Sequence, residues 1–177
     1  MARIPYADLE GAQAKPLVER IVAERGSVLH LYQMLLHSAP VAEGWLNYLT
    51  AIRQKNSLPG DLRELVIMRV AAINGAPYEA DQHAPIALKE GVSQAQLDAL
   101  PQWEQSDLFD ARQRAVLAYT DAMTRTVQVP DAVFAAVQAH FDHRELVELT
   151  ATVAAYNMVS RFLEALQVHS HDEPGKH

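Results

Sequence analysis

The 177-residue sequence contains no cysteine. That absence removes disulfides, thiolate metal sites and thiol redox chemistry from anything these residues can do, and it takes away disulfide usage as a guide to compartment. No run of about 18 apolar residues occurs, and the start, MARIPYADLEG, has no apolar core of signal-peptide length, so neither membrane spanning nor export is expected. A cytoplasmic protein is the expectation. A basic stripe is also missing: 15 Lys and Arg stand against 22 Asp and Glu, net charge -7, and the cations are scattered. A nucleic-acid partner is therefore not expected. There is no Gly-rich phosphate loop and no nucleophile elbow around a serine, which disfavours phosphotransfer, hydride transfer and serine hydrolysis.

What is present is helix-forming. The composition is 49% hydrophobic, rich in Ala, Leu, Glu, Gln and Arg with few β-branched runs, and summed propensity favours helix over strand. The expectation is an all-α bundle of about eight helices, one domain over residues 1–168 with a disordered tail over 169–177. Residues 1–12 read as an extended arm, because Pro5 opposes a helix. Helices follow over 15–25, stopped by Gly26, and over 29–37. The next starts at Pro40, with Val41, Trp45, Tyr48, Leu49 and Ile52 as its apolar stripe. The helix after Leu58-Pro59-Gly60-Asp61 has little room for a solvated face and reads as central; a break at Asn74-Gly75-Ala76-Pro77 separates it from a shorter helix that Gly91 ends. Ser93 with Gln96, Asp110 with Gln113 and Asp142 with Glu145 are capping-box signals for three more helices, and Pro130 opens another. PQWEQSDL, 101–108, reads as a loop. Arg63-Glu64-Leu65-Val66 recurs as Arg144-Glu145-Leu146-Val147 at the head of a second long helix, an echo that admits a duplicated helix-pair unit.

Three ionisable side chains, Glu64, Glu79 and His83, fall on or beside apolar helix faces. Glu79 and His83 are four apart on a helix and share a face, a spacing that suits an acid/base pair and equally an ordinary Glu–His contact at a helix start. Glu64, on the central helix, needs an internal partner, and Arg63 or Arg69 can supply it without any catalytic role. A metal site made by Glu64, Glu79 and His83 is the third reading, weakened by the lack of a second histidine at ligand spacing and of a Glu-x-x-His repeat. Tyr78 stands beside the pair as a hydrogen-bond donor. Among the other histidines only His37, at a helix end before Ser38-Ala39-Pro40, is a pocket candidate.

The segment from Arg63-Glu64-Leu65 through Asn74-Gly75-Ala76-Pro77-Tyr78-Glu79-Ala80-Asp81-Gln82-His83 to Gly91 resembles the carboxymuconolactone decarboxylase family, which shares its fold with the alkylhydroperoxidase D proteins. The resemblance implies an alkylhydroperoxidase D-like helical fold and a homo-oligomer. Laid on this chain, the dithiol pattern of the alkylhydroperoxidase branch puts its cysteines at Ala76 and Glu79, its histidine at His83 and its glutamate at Glu64, so a cysteine-dependent peroxidase is excluded even though the fold is shared. The decarboxylase branch is closer, with a Tyr-Glu-x-x-x-His segment in place of the dithiol, although the Trp often found after that Glu is Ala80 here. The implied activity is cofactor-independent proton transfer on a small organic acid or lactone: decarboxylation, lactone opening or isomerisation. His83 would be the general acid/base, Glu79 its orienting partner and Glu64 a second proton acceptor or buried support, with Tyr78 and His37 on the substrate. The alternative is a non-catalytic oligomeric protein that binds a small ligand or a metal ion in the same pocket.

Overall fold

A computed structural model describes residues 1–11 and 14–173 of the chain. Among the described residues there are nine α-helices and no strand, and no helix is long and apolar enough to cross a membrane. The chain divides into two compact units, one of Met1–Lys55 with Leu163–His177 and one of Asn56–Phe162.

In the first unit, α1 (Lys15–Arg25) starts with a proline in its first turn and ends at Gly26, whose φ of 83° is the left-handed conformation that glycine adopts at no steric cost. Helix α2 (His30–Leu35) and α3 (Ala39–Thr50) follow, and α3 packs on both α1 and α2. The expected apolar stripe of α3 is rotated: Ala42, Trp45, Leu46, Leu49 and Ile52 are buried, whereas Val41 and Tyr48 face outward. Ala42 is fully buried because its small side chain allows close approach, a property that ranking residues by hydrophobicity misses. The helix then widens into a π-helical turn, Ala51–Lys55. The N-terminal arm lies along its own unit, with Arg3 N–H bonded to the Leu166 carbonyl and Ala7 N–H to that of Gln33. The expected tail is partly tied down: Asp172 accepts from the Tyr6 hydroxyl at 2.6 Å, and His30 Nδ1 lies 3.0 Å from the His169 carbonyl. Residues 174–177 of that tail, and residue 12 of the arm, lie outside the described residues.

The second unit is built around α4 (Gly60–Asn74). Leu62, Leu65, Val66, Ile67 and Val70 are all buried, and a helix apolar on nearly all sides belongs in a core. Around it stand α5 (Pro77–Lys89), α7 (Ala111–Thr126) and a 3-10 turn, Leu100–Gln105, that continues α6 (Gln94–Ala99). Helix α8 (Asp131–Gln138) packs on α7, and α9 (His143–Leu166) closes the order. The capping boxes at Ser93/Gln96 and Asp110/Gln113 form with both hydrogen bonds, and Asp142 and Glu145 make the same reciprocal pair.

The 3-10 turn corrects the loop expected over 101–108. Trp103 is buried, Arg114 stacks on its ring at 5.2 Å, and the same guanidinium donates to the carbonyls of Ser106 and Glu104 at 2.9 and 3.0 Å. From the other side, Arg69 donates to the Leu100 carbonyl at 2.7 Å. Two arginines from other helices thus satisfy backbone acceptors that a free loop would leave to water. Arg69 also grips Asp121 of α7 through two bonds of 2.6 Å, so it serves α4–α7 packing and is not the partner of Glu64.

Candidate active site

Only Gly75 and Ala76 separate α4 from α5. Gly75 takes φ 62°, which ends α4 in a left-handed cap, and Pro77 starts α5 at once with its φ already suited to a helix. The abrupt turn lays α5 back along α4 and lets a residue two turns into α5 meet one near the start of α4.

Those residues are His83 and Glu64. His83 is 4% exposed and Glu64 0%. The imidazole Nδ1 lies 2.7 Å from Glu64 Oε2, and the other carboxylate oxygen accepts from Arg63 Nε at 3.2 Å. The opposite ring nitrogen, Nε2, is 3.6 Å from Glu79 Oε1, an ion-pair distance too long for a hydrogen bond. Glu79 is itself buried, one turn before His83 on the same face, and Tyr78 is buried beside it in the first turn of α5. The structure therefore gathers Glu64, Glu79 and His83, and the hydrogen bond that orients the imidazole comes from Glu64, nineteen residues away. His37 belongs to the first unit, where it is exposed and its Nε2 lies 2.7 Å from the Pro5 carbonyl.

The electrostatics follow from burial and partners. Burial pushes the Glu64 carboxyl up, but the hydrogen bond and charge of His83 and the guanidinium of Arg63 together outweigh it and hold the group below its ordinary value. An ionised carboxylate can only accept, so the proton of this hydrogen bond sits on Nδ1, with Nε2 on the Glu79 side of the ring. Tyr156 of α9 meets the imidazole edge-on, ring centroids 5.1 Å apart and planes at 89°. That contact joins residues 73 positions apart in an Ala-rich helix, and no sequence spacing signals it. Among the described residues no group of three His, Asp or Glu side chains is arranged to hold a metal ion.

Beside the α4–α5 turn lies an open apolar groove of about 320 Å³, lined by Ala71, Ala72, Gly75, Ala76, Pro77 and Ala80 with Met68, Leu97, Leu100 and Pro101. Met68 and Ala71 follow Glu64 by four and seven residues, and Ala76 and Ala80 precede His83 by seven and three. The groove is thus built from the same two helices as the charged cluster, but Glu64, Tyr78, Glu79 and His83 are not among the residues that line it.

A model of the carboxymuconolactone decarboxylase family matches residues 39–122 of the chain. The uncharacterized protein YnjA of Escherichia coli is 32% identical over 126 residues, an overlap of 71% of this chain and 66% of that protein. The uncharacterized protein YdfG of Bacillus subtilis is 26% identical over 115 residues, 64% of this chain and 78% of that one. Among solved structures, the alkylhydroperoxidase AhpD core of an uncharacterized peroxidase-related protein from Ralstonia eutropha is similar with a TM-score of 0.82 at 20% identity, covering 97% of this chain and 93% of that one. The debrominase Bmp8, as a cysteine-to-alanine variant in complex with 2,3,4-tribromopyrrole, gives 0.79 at 18% identity, covering 96% and 91%. Likeness at these identities carries the fold alone: an all-α, alkylhydroperoxidase D-like arrangement.

Proposed function

We propose, from the match of residues 39–122 to the carboxymuconolactone decarboxylase family, that the chain is a cofactor-independent, lyase-like enzyme of that family that moves protons on a small organic acid or lactone. The observation that carries this reading is the 2.7 Å bond from His83 Nδ1 to a fully buried carboxylate. A buried imidazole held by one nitrogen has a fixed tautomer and a fixed direction in which its other nitrogen can act. Nε2 would take a proton from the carbon beside a carbonyl and return it to a neighbouring carbon in an isomerisation. In a decarboxylation the carbon–carbon bond to the carboxylate breaks, the electron pair stays on carbon, and the imidazolium protonates it. Glu64 orients the ring and balances its charge, Glu79 stands on the Nε2 side as the second proton carrier, and Tyr78 is the donor assigned to substrate. The apolar groove beside the α4–α5 turn supports a ligand with a small apolar body. Self-association and a cytoplasmic setting belong to the same reading.

A second reading is a non-catalytic protein that binds a small ligand in the same place; the pairing of Glu64 with Arg63 favours it, because that contact satisfies the carboxylate without chemistry. One experiment separates the two. Small lactones, unsaturated acids and β-keto acids are incubated with the protein in D₂O, and carbon-bound deuterium and loss of CO₂ are followed by NMR. Enzyme-dependent exchange or decarboxylation that falls about 100-fold or more in His83→Ala supports the proposal. Turnover that survives His83→Ala, or binding with no exchange in any compound class, overturns it.

A further inference from the structure

The charged groups of the site do not end at Glu64. Arg63, next to it on α4, has a side chain 13% exposed and faces two carboxylates of different surroundings. Its Nε is 3.2 Å from the buried Glu64, and its Nη2 is 3.6 Å from Oε1 of Glu90, a side chain 39% exposed at the end of α5. A third residue leaves room for Glu90 there. Gly60, the first residue of α4, has no side chain, and a Cβ built on it would lie 1.8 Å from the other Glu90 oxygen. The Glu90 carboxylate therefore rests on the Gly60 backbone, where any other residue would displace it.

We propose that Arg63 and Glu90 are positioning residues for the Glu64–His83 pair, with Arg63 divided between a buried and a surface carboxylate so that charge at the surface sets how strongly Glu64 holds a protonated His83. The inference rests on the proton-transfer reading of the site for its purpose, but its geometry stands alone. A guanidinium with five donors can serve two carboxylates at once, and what it gives to Glu90 it withholds from Glu64. Glu64 of α4, Glu79 of its own helix and the ring of Tyr156 of α9 face His83, and Arg63 and Glu90 connect to it through Glu64. Helix α7 and the 3-10 turn, which also pack on α4, carry Asp121 and Trp103, and Asp121 accepts from both Arg69 and the Trp103 ring N–H.

Opposite signs make the relay testable without a substrate. The titration of the His83 imidazole is followed by NMR in the full-length protein, its signal assigned with His83→Gln. Arg63→Gln removes a cation beside the pair and should raise the midpoint by on the order of one unit. Glu90→Gln removes a surface anion and leaves Arg63 wholly to Glu64, so it should lower the midpoint by a few tenths, less because solvent screens it. Gly60→Ala should act like Glu90→Gln by pushing the carboxylate aside. Arg63→Lys should restore most of the wild-type value, and the effect of Glu90→Gln should shrink in the Arg63→Gln background. A folded Arg63→Gln with an unmoved midpoint overturns the proposal, as does a Glu90→Gln shift in the same direction as that of Arg63→Gln. If Arg63→Gln fails to fold, Glu90→Gln and Gly60→Ala at the surface decide by the same signs. The deuterium assay is independent: a midpoint that moves as described beside a site that turns nothing over leaves the relay standing and removes the enzymatic reading.

Discussion

Replacing Glu64 with Gln tests whether the buried carboxylate acts as a charge. The substitution keeps size and shape, and the amide oxygen can still accept from His83 Nδ1. What disappears is the negative charge that strengthens the contacts to His83 at 2.7 Å and to Arg63 at 3.2 Å. Hydrogen bonds to a charged group contribute about 1.5 to 3 kcal/mol each, against about 1 kcal/mol for neutral ones, and part of that gain is offset by the burial of the carboxylate. A net loss of about 2 kcal/mol is expected near pH 5.5. The pH dependence carries the stronger test. Because the folded protein holds the Glu64 carboxyl below its ordinary value of 4.5, its contribution is fully present above that pH and is lost as pH falls through the lower, folded value. The stability gap between wild type and variant should therefore be at its full width above about pH 5.5 and narrow steadily below about pH 4.5. Urea unfolding of the two proteins at matched pH measures it, and the other carboxylates held low, Glu24, Glu148 and Asp172, cancel in the difference. A gap that stays constant from about pH 5.5 to the acid limit of folding would show that Glu64 contributes only shape.

Two further predictions concern the scaffold. Arg69→Met removes a guanidinium bound twice to Asp121 and once to the Leu100 carbonyl; it should cost about 3 to 4 kcal/mol in urea unfolding, since a partly buried aspartate and a backbone acceptor are left without their cation, and a loss under about 1 kcal/mol would mean that water replaces the arginine at little cost. Val127 ends α7 at φ 67° with its side chain 79% exposed, so it holds a conformation unfavourable to a β-branched residue and buries almost nothing in return; Val127→Gly should raise stability by about 0.5 to 1 kcal/mol in thermal unfolding, and a decrease would show that the turn is not strained.

Much of the fold was legible because its signals are local. Capping boxes lie within four residues, Gly26 and Gly91 take the left-handed conformations that end helices, and the apolar content of α4 marks it as central. That the candidate residues lie together was legible for a related reason. Glu79 and His83 share a helix face, and a two-residue connection after α4 brings Glu64 within reach. What spacing could not reveal was which carboxylate binds the imidazole, because at i,i+4 Glu79 looks the nearer partner while the helix packing gives the shorter contact to Glu64. The same limit hid the Arg69–Asp121 pair, 52 residues apart, and the burial of Trp103 under Arg114. Each depends on which helix faces which, and propensity and periodicity describe one helix at a time. The echo of Arg63-Glu64 in Arg144-Glu145 shows the same point from the other side: Glu64 is buried against His83, whereas Glu145 caps the first turn of α9.

The absent thiols bear on more than classification. In the related dithiol pattern the position of Glu79 belongs to a cysteine, a side chain that exchanges electrons as well as protons. A carboxylate there exchanges protons and holds cations, and it has no accessible two-electron oxidation. Ala76, at the other cysteine position, leaves no sulfur to resolve an oxidised intermediate. Yet the other polar parts of the pattern persist, Glu64 bound to His83 and His83 facing the altered position. A scaffold that fixes an imidazole with one buried carboxylate and turns its other nitrogen toward a second position imposes no redox chemistry of its own; the side chain at that second position decides. With Glu79 there, likeness to peroxidase-related structures carries the fold alone, and the chemistry we propose for these residues is that of a proton moving between an imidazole and a carboxylate.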